Sequence, residues 1–503
     1  MVAPYPLPGC SGALALPVAT DEVLSLHPLP DRTGDTLLLY GRGATGPFRI
    51  ASAEIPAGDD AEARKPFPLD EDLMPLLAGR AFGVEERVAI RRHGSALVLD
   101  CAAGTRPAGA ILTGPWSLPL ARARLHWQAR GHGTFALAMA DASLASRESA
   151  IGLGHIESGA GQADLPGAGF AREEWRHFTI ACPDNGASIR LAALRLVTQA
   201  SLPPARATWI WSADMWRHAP RQVLEHAASH GIGTLFVTVP VRHGAVQAPA
   251  ALASFVRAAG RRGMTVWTVD GDPRMVLPGE QANTIGRVRA YAAYNGSVHA
   301  DARLAGVQFD VEHYLLPGYE AAAAQLDSRY GTLACALRDA AGAMALDFVI
   351  PFWWRPGSVM LDALARCATS VTIMDYRTDP AQIAAFAQPL LDWGVVHARQ
   401  VRIALEAGPV AAERQRRYVR AQSGELWMVE VGGQRALLLL DAARPNPVGP
   451  AYRLGHERIL DGSETTFHGR EPALLALLPG LERQFSAWTS FAGFALHALP
   501  VRR

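Results

Sequence analysis

The sequence predicts a multidomain chain: a β-sandwich over residues 1–203, followed by a (β/α)8 TIM barrel over residues 204–503. Three observations predict it. Up to about residue 203, short alternating apolar runs are separated by Gly/Pro-rich connections with almost no helical period. The stretch Ser201-Leu-Pro-Pro-Ala205 then reads as a linker. Beyond it, apolar strands alternate with Ala/Arg-rich helical stretches, the grammar of a parallel barrel.

The sandwich strands are expected at 35–40, 87–91, 96–100, 123–128, 134–139, 175–180 and 188–192. Residues 1–90 form either an extra strand layer or a small separate domain. Barrel strands are expected at 208–211, 234–239, 265–269, 306–312, 347–352, 370–376, 401–406 and 493–497. Helices are expected between them at 220–229, 250–262, 321–341, 359–367 and 380–393. A doubly wound open sheet competes with the barrel, because strand count alone does not separate the two. The seventh connection, from Glu406 to about Phe491, is unusually long. It holds a strand-like 434–441 and a helix at about 471–488. An excursion of that size commonly builds the rim of a cleft.

In a barrel the reacting groups sit at the C-terminal ends of the strands. The fourth strand ends in two carboxylates, Asp310 and Glu312, followed by His313 and Tyr314. Residues two apart on a strand point to the same side. The other strand ends offer Trp211 and Asp214, Asp270, Trp353 and Trp354, Asp375 with Tyr376 and Arg377, and Glu406. Acids move protons, and aromatic faces stack on the C–H surfaces of a pyranose. The bland readings are a strand-end acid paired with Arg303, core packing for any single Trp, and Glu406 as a partner of Arg355 or Arg377. His313 beside the two acids has no second His at ligand spacing, so no metal is expected there.

The segment Ala305-Gly-Val-Gln-Phe-Asp-Val-Glu312 resembles the Asp-Gly-x-Asp-x-Asp-x-Glu motif of glycoside hydrolase family 18, the chitinase-like barrels. Ala305 and Gln308 stand at its first two Asp positions. Met374-Asp-Tyr-Arg377 resembles that family's Met-x-Tyr-Asp, with Arg377 replacing the final Asp. His497 ends the eighth strand, where the family tends to carry Trp. The resemblance covers the barrel, about 290 residues. It implies that Glu312 is the general acid, Asp310 the modulator of its proton, and Tyr376 a hydrogen-bond donor at the reacting centre. It also implies that the substrate's own 2-acetamido group is the nucleophile. A second glycosidase reading pairs Glu312 with Glu406, as retaining barrel glycosidases pair the ends of strands four and seven. Residues 121–197 resemble the jelly-roll sandwiches of carbohydrate-binding modules, through Arg172-Glu-Glu-Trp-Arg-His-Phe-Thr-Ile180, read as a strand, and Ala187-Ser-Ile-Arg-Leu-Ala-Ala-Leu-Arg-Leu196.

These features point to a glycoside hydrolase acting on a polysaccharide or oligosaccharide. Its catalytic candidates are Glu312, Asp310, Tyr376 and Glu406. Its substrate-binding candidates are Trp211, Asp214, Asp270, His313, Tyr314, Trp353, Trp354, Asp375 and Arg377. The alternatives are a lectin-like carbohydrate-binding protein without catalysis, or a partner in polysaccharide assembly. No cofactor is expected.

Composition narrows the partners. The chain has 503 residues and a net charge of +1, with 48 basic and 47 acidic residues and no basic stripe. A nucleic acid is therefore not the expected partner. Lys65 is the lone lysine amid abundant Arg and Ala, which reads as GC-rich, bacterial coding. No run of 18 apolar residues predicts a membrane helix. The apolar stretch 12–19 is short and has no basic lead, a poor signal peptide, so a periplasmic or secreted address requires a signal already removed. The five cysteines form no zinc-like spacing, and their odd number suggests no disulfide framework. Cys335 and Cys367, in Ala-rich helical surroundings, are expected as buried free thiols. Gly41-Arg-Gly-Ala-Thr-Gly46 matches a dinucleotide fingerprint, but strand-like residues follow it where that site needs a helix.

Overall fold

Eight parallel strands close into a barrel: Arg206–Ile210, Ile232–Thr238, Thr265–Asp270, Gly306–Phe309, Ala345–Pro351, Ser370–Met374, Gln400–Glu406 and Phe491–His497. The first strand pairs with the second and with the eighth, so the sheet has no edge and the open doubly wound alternative falls. This architecture comes from a computed structural model. It describes residues 26–28, 35–48, 50–54, 67–114, 116, 118–141, 150–165, 175–317, 319–431 and 434–498. Cys10 and the apolar stretch 12–19 lie outside the described residues.

Each connection between successive barrel strands carries helix. The helices are Ala213–His218 with Pro220–Ser229, then Pro249–Gly260, Pro278–Ser297, Tyr319–Ala341, Val359–Cys367, Pro380–His397 and Glu471–Phe485. Prolines 220, 249, 278 and 380 open their helices, where a missing N–H costs nothing. Ser358 and Asp379 cap theirs by accepting from the backbone N–H of Leu361 and Gln382. The helix Pro278–Ser297 was not expected, because its internal glycines and asparagines are weak helix formers. Tertiary contacts hold it: Val288, Tyr291 and Tyr294 are buried, and the Tyr291 hydroxyl donates to the Val239 carbonyl at 3.0 Å.

One apolar core lies between strands and helices. Val237, Val307, Leu346, Ile373, Ile403 and Leu496 are fully buried there. Each such side chain stabilises the fold by roughly 1.5–3 kcal/mol relative to exposure. A second, smaller cluster fills the barrel interior with Ala207, Trp209, Phe236, Val269, Ala404 and Ala495, and Trp267 and Tyr376 pack against it. Gly306 makes room for it. A Cβ there would stand 2.3 Å from the Trp267 ring.

Before the barrel, two five-stranded antiparallel sheets form. One runs in the order Ala150–Ile156, Phe135–Asp141, Trp175–Ala181, Ala108–Thr113, Ala78–Gly83. The other runs Gly159–Asp164, Ala123–His132, Ala187–Thr198, Ala96–Cys101, Val88–His93. Their apolar residues, among them Leu112, Phe135 and Phe178 from one and Leu99, Leu125 and Leu191 from the other, share a single cluster. The strands at 78–83, 108–113, 150–156 and 159–164 escaped the sequence pattern because Gly and Ala blur their alternation.

A third sheet joins the two ends of the chain. Leu26–Pro28, Thr36–Arg42 and Ile50–Glu54 pair with Glu413–Ala421, Gly424–Val431, Gln434–Arg444 and Ala451–Leu460 in seven antiparallel strands. The excursion after the seventh barrel strand is thus completed by the first strands of the sequence. A linear division at residue 203 leaves the two parts of this sheet on opposite sides. Within it, Thr36–Arg42 turns at Gly43 (φ +82°) and Gly46 (φ +89°) into the antiparallel strand Ile50–Glu54. No helix follows the GxGxxG match, so it offers no phosphate site.

The cysteine expectation is corrected. Cys101 bonds to Cys182 and Cys335 bonds to Cys367. Cys335 and Cys367 lie on separate helices that pack side by side, a pairing that sequence spacing does not reveal.

Candidate active site at the barrel mouth

The pleat of the barrel sorts the candidate residues. Alternate positions of each strand face the interior, where Trp209, Gln308, Asp347, Thr372 and Glu406 lie. The fourth strand ends at Phe309 and the sixth at Met374, so Asp310, Glu312 and Tyr376 stand on the loops just above the ring. Asp310, Glu312 and Glu406 all act on Tyr376 electrostatically, which places the three acids around one mouth.

The acids differ in environment. Burial, and then the neighbouring Glu312 charge, pushes the Asp310 carboxyl up to about 7. Its Oδ1 has no hydrogen-bond partner among the described residues. Glu312 accepts the Tyr314 hydroxyl at 2.5 Å. Burial also raises Glu406, but the hydrogen bond from His497 and the N–H group of Gly408 outweigh it and hold the carboxyl below its ordinary range. His497 Nδ1 lies 2.7 Å from Glu406 Oε2, and Gly408 N–H donates to Oε1 at 2.6 Å. A Cβ at position 408 would approach Oε1 to 2.9 Å, so glycine suits that close donor. Burial and then the Glu406, Asp310 and Glu312 charges keep the Tyr376 hydroxyl protonated far above its ordinary range.

Beneath the mouth lies a buried polar network. The Trp209 indole donates to Gln308 Oε1 at 2.5 Å, and Gln308 Nε2 donates to Asp347 Oδ2 at 2.8 Å. Ser370 and Thr372 also donate to the Asp347 carboxylate, at 2.5 and 2.7 Å. The amide at the motif's second Asp position is therefore engaged on both ends. Glu406 has a His partner, not the arginine that a purely structural reading expects.

Two aromatic faces are open at this end of the barrel. Trp211 is 45% exposed and Trp353 51% exposed. Tyr314 meets the Trp353 ring edge-on at 5.3 Å.

Six expected ligand-binding residues lie elsewhere, five of them turned aside at the strand ends. His313 is wholly buried, 2.8 Å from Asp327 and stacked on Tyr330 at 4.8 Å. Trp354, 5% exposed, packs edge-on against the same Tyr330. Asp270 turns outward to Arg287 of the Pro278–Ser297 helix at 2.5 Å. Asp375 is fully buried with neither carboxyl oxygen hydrogen-bonded among the described residues, and burial drives it far above the carboxylate range. Arg377 lies over the Phe352 and Phe386 rings, at 4.8 and 5.1 Å. Each follows an interior position by one residue, and a shift of one reverses the side. Asp214 is surface-exposed on the helix Ala213–His218, 3.7 Å from His218. His497 was missed as a site residue. Its signal was the end of the eighth strand, but the parallel register of the seventh and eighth strands is what sets it opposite Glu406.

No group of His, Cys, Asp and Glu suited to a metal occurs among the described residues. No helix of the described chain is long and apolar enough to cross a membrane.

No family model and no curated protein matches the chain. Solved structures similar to part of it are family 29 carbohydrate-binding modules. One is a mutant complexed with mannohexaose, 13% identical over 24% of this chain and 79% of that one, TM-score 0.19. Another mutant is complexed with cellulohexaose, 13% identical over 24% of this chain and 78% of that one, TM-score 0.19. A third module of the family is 12% identical over 31% of this chain and 86% of that one, TM-score 0.19.

Proposed function

We propose that the barrel mouth binds a carbohydrate and hydrolyses a glycosidic bond. The observation that carries this reading is the split between two acid environments around Tyr376. Asp310, beside Glu312, keeps a proton to about neutral pH. Glu406 is held as an anion by His497 and Gly408. Acid and base roles are assigned to carboxyls whose environments separate their protonation in this way. Glu312, with the Asp310 proton beside it, protonates the leaving oxygen. Glu406 faces the positive charge that develops at the anomeric carbon, or attacks that carbon. Tyr376 donates its hydrogen bond at the reacting centre, and Trp211 and Trp353 stack on sugar rings. The likeness to family 18 supports Glu312 as the acid. Glu406 supplies a protein anion that the substrate-assisted version does without. The two disulfides fit an oxidising compartment, hence a periplasmic or secreted address.

One observation favours a lectin-like second reading. Ala305 and Gln308 replace two motif acids, and Gln308 is locked into a structural network. Such a mouth binds saccharide without turning it over. The test is a reducing-end release screen across bacterial envelope polysaccharides and chitin, with Glu312→Gln beside wild type. Wild type should release reducing ends. The variant should lose about 10²–10⁴-fold in rate, the usual worth of a general acid, while still binding. Binding by both with release by neither moves the assignment to the lectin-like reading. Undiminished release by the variant removes Glu312 from the acid role.

A further inference from the structure

We infer that His497 is the positioning residue of Glu406, and that Trp211, by holding the outer ring nitrogen of His497, ties this buried acid to the sugar-binding rim. The sugar at Trp211 and the catalytic consequence rest on the proposed function; the tautomer does not.

The geometry forms a three-membered line from solvent to the buried carboxylate. The Trp211 indole N–H lies 3.1 Å from His497 Nε2. An indole N–H only donates, so Nε2 must accept and carries no proton. The ring proton is therefore on Nδ1, which faces Glu406 Oε2 at 2.7 Å and donates to it. Gly408 N–H takes the other oxygen at 2.6 Å. Both carboxylate oxygens thus meet donors, the arrangement that favours the anion. The alternative tautomer would point a proton from Nε2 at the Trp211 N–H and leave Glu406 Oε2 facing a bare nitrogen. Trp211 excludes it.

The other charged or titratable neighbours lack this leverage. Asp310 and Glu312 from the fourth strand, and Tyr376 from the sixth, act on one another electrostatically rather than through hydrogen bonds to Glu406. Arg402, four residues below on the same strand, is buried over the Phe236 ring and faces Asp347. Trp211 is itself an open aromatic face, 45% exposed, and its ring also meets His497 edge-on at 5.9 Å. A pyranose seated on Trp211 therefore lies on the side chain that selects the His497 tautomer. Loss of the Trp211 N–H should loosen Glu406 even where the stacking surface survives.

The test uses the full chain labelled with ¹⁵N-histidine and side-chain ¹³C-glutamate. His497 should show a protonated Nδ1 and a bare Nε2 near pH 7, identified by the resonance pair that His497→Asn removes. In Trp211→Phe, which keeps the ring and removes the N–H, that tautomer preference should weaken. The Glu406 carboxyl resonance, identified by its loss in Glu406→Gln, should titrate at higher pH in His497→Phe. It should return toward wild type in His497→Asn, whose amide restores a donor. A wild-type His497 protonated at Nε2, or a Glu406 titration unmoved in His497→Phe, overturns the inference. Should His497→Phe not fold, the tautomer comparison between wild type and Trp211→Phe decides alone, and an unchanged spectrum overturns it. None of these readouts needs turnover. The expected spectra without any saccharide hydrolysis would sink the hydrolase reading and leave this inference standing.

Discussion

Asp310, just beyond the fourth barrel strand, and Glu406, the last residue of the seventh, hold their protons oppositely. Asp310 has an unpartnered buried oxygen and an acidic neighbour, while Glu406 faces two donors, His497 and the Gly408 N–H. This difference has a signature in stability. The Asp310 carboxyl is raised in the folded state, to about 7 from an ordinary value near 3.8. Its contribution to stability is complete below the ordinary value and is lost as pH rises through about 7. Asp310→Asn stays neutral at every pH. Its melting temperature relative to wild type should therefore climb between about pH 4 and pH 7 and level off above, as read by thermal melts across that range. Glu406 has the opposite sign, because its carboxyl is lowered. Its contribution is present above the ordinary carboxylate range and is lost on acidification. Glu312 is judged by activity instead: Glu312→Gln should cut reducing-end release by about 10²–10⁴-fold and leave binding intact.

At the scale of elements, the period of two along a strand does most of the sorting. Gln308 and Asp310 share one side of the fourth strand, with Phe309 between them packed outward against Phe348 at 5.6 Å. The helices are less autonomous. Pro278–Ser297 has weak intrinsic propensity and forms because its buried face is covered. One residue bridges the segment between the sheets before the barrel and the helix layer. Asp392, in the helix Pro380–His397, accepts the Leu120 backbone N–H and the Trp488 indole N–H on the same oxygen, both at 2.7 Å. Burial raises its carboxyl to about 7 against those two hydrogen bonds. Asp392→Ala leaves both donors without an acceptor and should cost about 1–3 kcal/mol for each, measured by chemical denaturation. Asp392→Asn retains an acceptor oxygen and should cost less.

For the whole molecule, covalent and topological closure matter most. The Cys101–Cys182 bond joins the strand Ala96–Cys101 to the residue just beyond Trp175–Ala181, across a sequence separation of 81. Replacing both cysteines with alanine should destabilise the sheets before the barrel by roughly 2–5 kcal/mol. The measurement is the denaturation midpoint of that transition, with the barrel transition as internal reference. The seven-stranded sheet ties Thr36–Arg42 to Glu413–Ala421 in register along the full strand. Sequence-local reasoning sees an orphan N-terminal strand and an overlong barrel excursion. Their pairing explains both.

The strand and helix order of the barrel was legible from sequence, because apolar periodicity and Pro starts act locally. The acids at the ends of strands four and seven and the tyrosine after strand six were legible as well, since a parallel barrel brings all its strand ends to one mouth. Tertiary structure alone decided the rest. Strands four to six end one to three residues sooner than expected, and one-residue changes of side turned His313, Trp354, Asp375 and Arg377 away from the mouth, and Asp270 to an arginine. The register of the seventh and eighth strands, joined across the long excursion, set His497 beside Glu406. Approach of distant helices joined Cys335 to Cys367. These are contacts between residues far apart in the chain, made by the folded packing, and no local pattern of residue types encodes them.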